Sequence, residues 1–96
     1  MHILFIGRDK PGALAIRLDN RPAHLAYLAD NASAIKIAGP YLDEVSGEPR
    51  GSMLIIEADS LEAAKALLDK DPYAIAGLFA EVEIRPWRWV IGVPLA

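Results

Sequence analysis

Consecutive apolar residues mark two strands in this 96-residue chain. Residues 2–8 contain Ile3–Ile6, and residues 51–58 contain Met53–Ile56, each an unbroken apolar run. A strand with one face in water alternates polar and apolar residues, whereas a strand covered on both faces does not need to. We therefore predict that both strands are central in a sheet with something packed on each face.

Two further stretches predict weaker strands. Residues 34–42 are typical of an edge strand, because Pro40 after Gly39 cannot donate a ladder hydrogen bond. Residues 79–90 alternate in polarity up to Pro86, and the large residues beyond it fall on the opposite phase. Such a one-residue change of phase predicts a bulge near this proline.

The first predicted helix covers residues 12–31 and contains a proline. A proline lacks the backbone N–H that a helix needs, and it disfavours helical geometry in the residue before it. Pro22 therefore predicts a break or kink within 19–22, with Asn20 or Arg21 capping the second piece.

The second predicted helix begins at Asp59–Glu62 and ends at Pro72. Two N-caps fit its start: Asp59 with Glu62 in a capping box, or Ser60 alone. Residues 73–78 are predicted to be a connection, and Asp43–Arg50 a polar hairpin loop.

The predicted order β-α-β-β-α-β is that of an α+β ferredoxin-like fold, with a four-stranded antiparallel sheet and two helices on one face. The first and third strands are central in this topology, yet helices cover only one of their two apolar faces. A second copy of the chain is the simplest cover for the other face. We therefore predict a homodimer, a dimeric α+β barrel built from a single domain of residues 1–96. The apolar content of 53% agrees, because small domains bury a low fraction of their surface.

Composition narrows the possible functions. A net charge of -3 and a pI near 5.2 argue against nucleic acid as a partner. The absence of cysteine excludes disulfides and zinc-thiolate sites. Two histidines without ligand spacing predict no metal site, and no glycine-rich phosphate loop is present, so no cofactor is expected. No stretch has the length of a membrane span or a signal-peptide core, so we expect no membrane partner and a cytoplasmic location.

Asp71 is the leading functional candidate. It follows the second helical pattern, where an anion near a helix C-terminus typically costs a few tenths to ~1 kcal/mol. It therefore either has a cap-like local role before Pro72 or has a partner elsewhere. The best candidate partner is His24, at the edge of the first helix's apolar stripe, because the two helices lie side by side in this fold.

A carboxylate that binds one ring nitrogen would fix the tautomer of His24 and make the other nitrogen a better base. The alternative is a half-buried surface histidine and an aspartate that starts a turn before proline.

Other side chains could complete a site. Arginine suits carboxylate geometry, so the basic residues near the first helix could hold an anionic substrate or form a solvated rim. These residues are Arg8, Lys10, Arg17 and Arg21. Arg17 or Arg21 could instead pair with Asp19 or Asp71. Ser52 could be a hydrogen-bonding group or nucleophile, although a serine entering a strand is usually neither.

Several segments, in this order, resemble the YCII-related family of small bacterial proteins over nearly the whole chain. They are Arg17-Leu18, Arg21-Pro22-Ala23-His24-Leu25, Ala38-Gly39-Pro40, Ser60-Leu61-Glu62-Ala63-Ala64, Asp71-Pro72-Tyr73 with Ala76-Gly77, and Val82-Glu83-Ile84-Arg85-Pro86-Trp87.

The resemblance implies a ferredoxin-like, dimeric α+β barrel with a His–Asp pair in a pocket. His24 and Asp71 match that pair. Some relatives are dehydrochlorinases in the degradation of chlorinated aromatics, which implies proton abstraction by the histidine with loss of chloride. The loop Asp43–Arg50 is short for the family, so access to the pocket is expected to differ.

The leading hypothesis is a small, cofactor-independent enzyme acting on a small anionic or cyclic organic molecule. His24 is the general acid/base and Asp71 orients it. The expected substrate-binding residues are Arg17, Arg21, Gly39, Pro40, Ser52 and Tyr73.

Two alternatives remain open at this point. One is a non-catalytic dimeric module that binds a small ligand or partner through the same cavity, which a collapsed or wholly apolar cavity would favour. The other resembles the cofactor-free oxygenases of the dimeric α+β barrel type. Its chemistry needs an aromatic-lined pocket, so the placement of Trp87 and Trp89 decides it; interface or core packing is their simpler role.

Overall fold

A four-stranded antiparallel sheet and three helices make up the computed structural model, which describes residues 1–92. The strands have the order β2-β3-β1-β4, and every neighbouring pair is antiparallel. This is the predicted ferredoxin-like fold, with the first and third strands at the centre. The elements are β1 (His2–Asp9), α1 (Leu14–Asp30), β2 (Ile35–Leu42), β3 (Pro49–Glu57), α2 (Leu61–Leu68), α3 (Pro72–Ile75) and β4 (Phe79–Trp87).

The core lies between the helices and one face of the sheet. Because side chains alternate across a strand, every second residue of β1 and β3 points toward the helices. These residues are buried together with the apolar face of α2. The buried set is Ile3, Phe5, Leu54, Ile56, Ala64 and Leu68.

The opposite, helix-free face of the sheet is also apolar at its centre. Leu4 pairs with Ile55, and Ile6 pairs with Met53. Ile55 is buried, Leu4 and Ile6 are half-buried, and Met53 is exposed. Leu4, Ile6 and Met53 therefore form a partly exposed apolar strip on this face of a single chain.

α1 is one continuous helix, so the predicted division within residues 19–22 is wrong. Pro22 lies inside the helix and Arg21 is an exposed helical residue. Asn20 is not a cap, because its Nδ2 donates to the Ile16 carbonyl at 2.9 Å. A proline removes only its own N–H, so the helical bonds on either side survive, and buried side chains both before and after it hold the two halves in one helix.

Ser60 is the N-cap of α2, which decides between the two caps that the sequence allowed. Its Oγ accepts from the Ala63 backbone N–H at 3.0 Å. Asp59 is exposed and lies one residue too early for this contact.

The predicted connection 73–78 contains a further short helix, α3, which the sequence analysis missed. Pro72 begins it rather than only ending α2, since proline suits the first turn of a helix. Gly77 follows its end at φ +72°, and the Leu78 N–H donates to the Tyr73 carbonyl in a Schellman motif. α3 packs against α1.

β4 ends at Trp87 instead of residue 90, and the predicted bulge near Pro86 is wrong. Its pairing with β1 continues through Pro86 to Trp87, and the irregularity falls between Arg8 and Asp9 at the other end. Trp89 lies beyond the strand, so its phase says nothing about the pairing. Within residues 1–92, no helix has both the length and the apolar character needed to cross a membrane.

Candidate active site

A pocket of about 220 Å³ opens between α1 and the β2–β3 side of the sheet. For comparison, a cavity of ~150 Å³ holds a benzene molecule, so the pocket has room for one six-membered ring. Apolar side chains such as Leu25, Leu28 and Leu54 form part of its wall. Its polar lining comes from His24, Arg17, Arg21, Ser52 and Tyr73.

His24 and Asp71 are in contact behind this pocket. The Nδ1 atom of His24 lies 2.8 Å from Oδ1 of Asp71, and their side chains are 9% and 3% exposed. Asp71 is also the N-cap of α3, where Oδ1 accepts from the Tyr73 N–H at 3.0 Å. The two roles foreseen for Asp71, a local cap and a distant partner, therefore occur together.

The contact with Asp71 favours one tautomer of the neutral imidazole. An ionised carboxylate only accepts hydrogen bonds, so in that tautomer Nδ1 carries the proton and Nε2 has the lone pair. Nε2 has no hydrogen-bond partner in residues 1–92. Every buried side-chain nitrogen or oxygen in those residues does have a partner, so Nε2 is not buried and is open to the pocket. The Tyr73 ring stacks on the imidazole with centroids 3.9 Å apart, which restricts its orientation.

Arg17 forms a buried ion pair in the same wall. Its Nε and Nη2 atoms donate to the two carboxylate oxygens of Asp9, both at 2.8 Å, and Nη2 also donates to Ser52 Oγ at 2.9 Å. Burial by itself would lower the pKa of Arg17, but the hydrogen bond and charge of Asp9 outweigh it and the pKa is raised. The guanidinium is therefore permanently charged.

Two buried tyrosines flank the histidine. Burial, with a smaller effect of the Asp71 charge, raises the pKa of Tyr27 to about 12, and its hydroxyl donates to the Leu67 carbonyl at 2.7 Å. Burial also raises the pKa of Tyr73, although the charge of Arg17 opposes this. Both phenols are thus neutral near neutral pH.

The remaining predicted site residues also line the pocket. Arg21 is exposed at the pocket mouth, and Pro40 lines the wall. Gly39 contributes only backbone, and a Cβ added there would meet nothing within 4 Å, so the pocket does not require a glycine at this position.

The predicted basic cluster does not form as a group. Arg8 is exposed on the helix-free face of the sheet and lies 3.6 Å from Glu83. Lys10 is also exposed and does not line the pocket. Only the two arginines of α1 reach it.

The tryptophans lie away from the pocket. Trp87 and Trp89 pack edge to face with ring centroids 5.3 Å apart, and His2 contacts both. The aromatic wall that an oxygenase of this fold would need is therefore not supplied by these residues.

Asp9 is the site residue that the sequence analysis missed. It is the last residue of β1, shortly before Pro11, so in sequence it has the pattern of a turn residue. Arg17 pairs with Asp9, so the alternative pairing of Arg17 with Asp19 or Asp71 is wrong. The sequence signal that could have revealed Asp9 was Arg17, because a charged residue on the buried face of a helix needs a carboxylate partner nearby. Within residues 1–92, no group of three or more histidine, aspartate or glutamate side chains could hold a metal ion.

Fold and site together define a class: a small ferredoxin-like protein with a buried His–Asp pair facing a pocket between its first helix and its sheet. The family model of the YCII-related domain matches residues 1–88. The chain belongs to the YCII-related family.

Relatives of known sequence match almost end to end. Protein YciI of Escherichia coli O6:H1 is 38% identical over 97 residues, covering 94% of this chain and 99% of the relative. An uncharacterised protein of Haemophilus influenzae is 32% identical with the same coverage.

A solved enzyme structure is also similar. The 5-chloro-2-hydroxyhydroquinone dehydrochlorinase TftG from Burkholderia phenoliruptrix AC1100, in complex with 2,5-dihydroxybenzoquinone, superposes with a TM-score of 0.86 at 38% identity. The match covers 92% of this chain and 94% of TftG. The structure of an antibiotic biosynthesis monooxygenase superposes with a TM-score of 0.56 at 11% identity, and the match covers 94% of this chain and 98% of the monooxygenase chain. This similarity shows only a shared fold.

Proposed function

We propose that this protein is a small enzyme in which His24 is the general acid/base and Asp71 orients it. The observation that carries the proposal is the 2.8 Å contact between Nδ1 and Asp71, which leaves Nε2 as a free base at an open pocket. The polar lining favours an enzyme over a purely apolar binding module.

The proposed substrate is a single-ring compound with hydroxyl groups, in the chemical class on which TftG acts. The volume of about 220 Å³ and the arginines in its lining suit a small ring with oxygen substituents.

Loss of hydrogen chloride from such a ring needs proton transfers and no oxidant. His24 takes a proton from a ring hydroxyl, and a proton is delivered to the carbon that bears chlorine. Chloride then leaves with the electron pair of the C–Cl bond while a second hydroxyl loses its proton. The ring becomes a hydroxyquinone, and the net change is loss of one HCl.

We also propose that the protein is a homodimer whose subunits pack through the helix-free sheet face. The apolar strip of Leu4, Ile6 and Met53 is partly exposed in one chain, and exposing such a strip to water is unfavourable. Pairing of two such faces would leave both pockets open, because each pocket lies on the other side of its sheet.

The decisive experiment is chloride release from 5-chloro-2-hydroxyhydroquinone by purified protein. We expect His24→Gln to lower kcat by ~10²–10⁴-fold, the usual contribution of a general acid/base. Asp71→Asn keeps an N-cap residue, so the fold is retained while the acceptor of the imidazole loses its negative charge, and kcat falls more than about tenfold.

His2→Gln is the matched control, because His2 packs on Trp87 and Trp89 outside the pocket. Its turnover should equal that of the wild type. Unchanged turnover in His24→Gln would overturn the catalytic role. Binding of the compound without chloride release would favour the non-catalytic module.

A further inference from the structure

Arg17 has hydrogen-bond donors to spare. A guanidinium group has five N–H donors. One on Nε and two on Nη2 are used by Asp9 and Ser52, as described above. The Tyr73 hydroxyl can take one more donor of the guanidinium. At least one N–H group of Nη1 is then left for another acceptor, and Arg17 lines the pocket.

The guanidinium lies close to the proposed base. Arg17 and His24 are seven residues apart, so they project from one face of α1. The Tyr73 ring contacts both, with its centroid 4.7 Å from Arg17 Cζ and 3.9 Å from the imidazole centroid. A ring bound in the pocket can therefore contact the histidine and the guanidinium at once.

The buried ion pair of Arg17 and Asp9 is better explained by binding than by stability. The side chains of Arg17 and Asp9 are 4% and 5% exposed. Buried ion pairs contribute little net stability, because desolvation offsets their attraction. A charge fixed in a buried position, however, interacts more strongly than an exposed charge with charge that develops on a ligand, and needs no reorganisation to do so.

We propose that Arg17 binds the substrate oxygen on which negative charge develops, and that Asp9 and Ser52 are positioning residues that aim Nη1 into the pocket. When a proton moves from the substrate to His24 Nε2, its bonding electron pair stays on the substrate as an enolate or phenolate oxygen. Arg17 then neutralises that oxygen. The identity of the base rests on the proposed function, but anion binding by Arg17 does not require turnover.

Benzoate and benzamide test this directly, because they have nearly the same shape and only benzoate is anionic. Their affinities are measured by titration calorimetry for the wild type, Ser52→Ala and the double variant Asp9→Asn with Arg17→Gln. The double variant removes both buried charges together, so no unpaired charge is left in the protein. Arg85→Gln is the control, an exposed arginine on the helix-free face.

We expect the wild type to prefer benzoate, and the double variant to bind it about 10- to 100-fold more weakly, as for a lost hydrogen bond to a charged group. Benzamide affinity should stay within about twofold. Ser52→Ala should also weaken benzoate binding, by a smaller factor. If the double variant does not fold, Ser52→Ala is compared with the wild type instead. Arg85→Gln should change neither affinity.

Three results would overturn the proposal: equal wild-type affinity for both probes, unchanged benzoate affinity in both variants, or a parallel loss for both probes, which indicates a structural role. The outcome is independent of the turnover test. If His24→Gln still releases chloride while Arg17 and Ser52 control charge selectivity, the proposed base is wrong and the anion site stands.

Discussion

Two buried acid–base pairs meet at Tyr73, and they differ in what they leave free. The Asp9–Arg17 pair is closed by two parallel hydrogen bonds, so its carboxylate is fully engaged. The Asp71–His24 pair uses one ring nitrogen and leaves the other open. One pair therefore supplies a fixed positive charge and the other supplies a group that can exchange a proton.

The buried hydroxyl of Tyr27 gives a stability prediction at the residue scale. We expect Tyr27→Phe to lower the free energy of unfolding at neutral pH by about 1 kcal/mol, because the Leu67 carbonyl loses a hydrogen bond. Urea unfolding followed by circular dichroism measures this.

The raised pKa of Tyr27 adds a pH dependence. The unfolded chain releases this proton near pH 10 and the folded protein near about 12, so the contribution to stability is complete below pH 10 and is lost as pH rises toward 12. Tyr27→Phe should make the fall in stability over this window less steep. The exposed Tyr41→Phe is the control, and an identical slope in Tyr27→Phe would contradict the assignment.

Among single residues, the sequence was informative where local physics left a residue unexplained. Asp71 was conspicuous because a carboxylate after a helix needs a cap role or a partner. Asp9 gave no such signal, because an aspartate at the end of a strand is an ordinary turn residue. Only the packing of α1 against the end of β1 reveals that its side chain is buried on Arg17.

At the scale of elements, hydrophobic periodicity predicted the order of strands and helices. The errors arose at a proline within a helix and at a very short helix. Pro22 predicted a break or kink, but side chains buried on both sides of it keep α1 continuous. The short helix α3 was missed because four residues are too few to show a helical period.

The N-cap of α2 gives a prediction at this scale. Ser60→Ala should lower the free energy of unfolding by about 1 kcal/mol, because the Ala63 N–H loses its acceptor. Asp59→Ala is the matched control, with an expected change within ~0.5 kcal/mol for an exposed residue. Urea midpoints distinguish the two, and a larger loss in Asp59→Ala would show that the capping box is the true start of the helix.

For the whole molecule, the uncovered sheet face decides whether the proposed dimer exists. Met53 is 36% exposed at the centre of that face, so Met53→Glu costs little in a single chain but would bury charge in a dimer. We expect the wild type to sediment as a dimer at micromolar concentration and Met53→Glu as a monomer.

Val82→Glu is the control, because Val82 is 54% exposed and belongs to the other face of β4. It should leave the assembly unchanged. A monomeric wild type would remove the proposed dimer.

The sequence by itself determined the ferredoxin-like topology and pointed to His24 and Asp71, because strand and helix patterns and local charge are properties of short segments. The tertiary structure alone decided which groups meet. It brought Asp9 and Ser52 to Arg17, separated Arg8 and Lys10 from the pocket, and kept α1 continuous through Pro22. The physical reason is that burial and hydrogen-bond partners depend on the packing of segments distant in the chain, which no short stretch of sequence records.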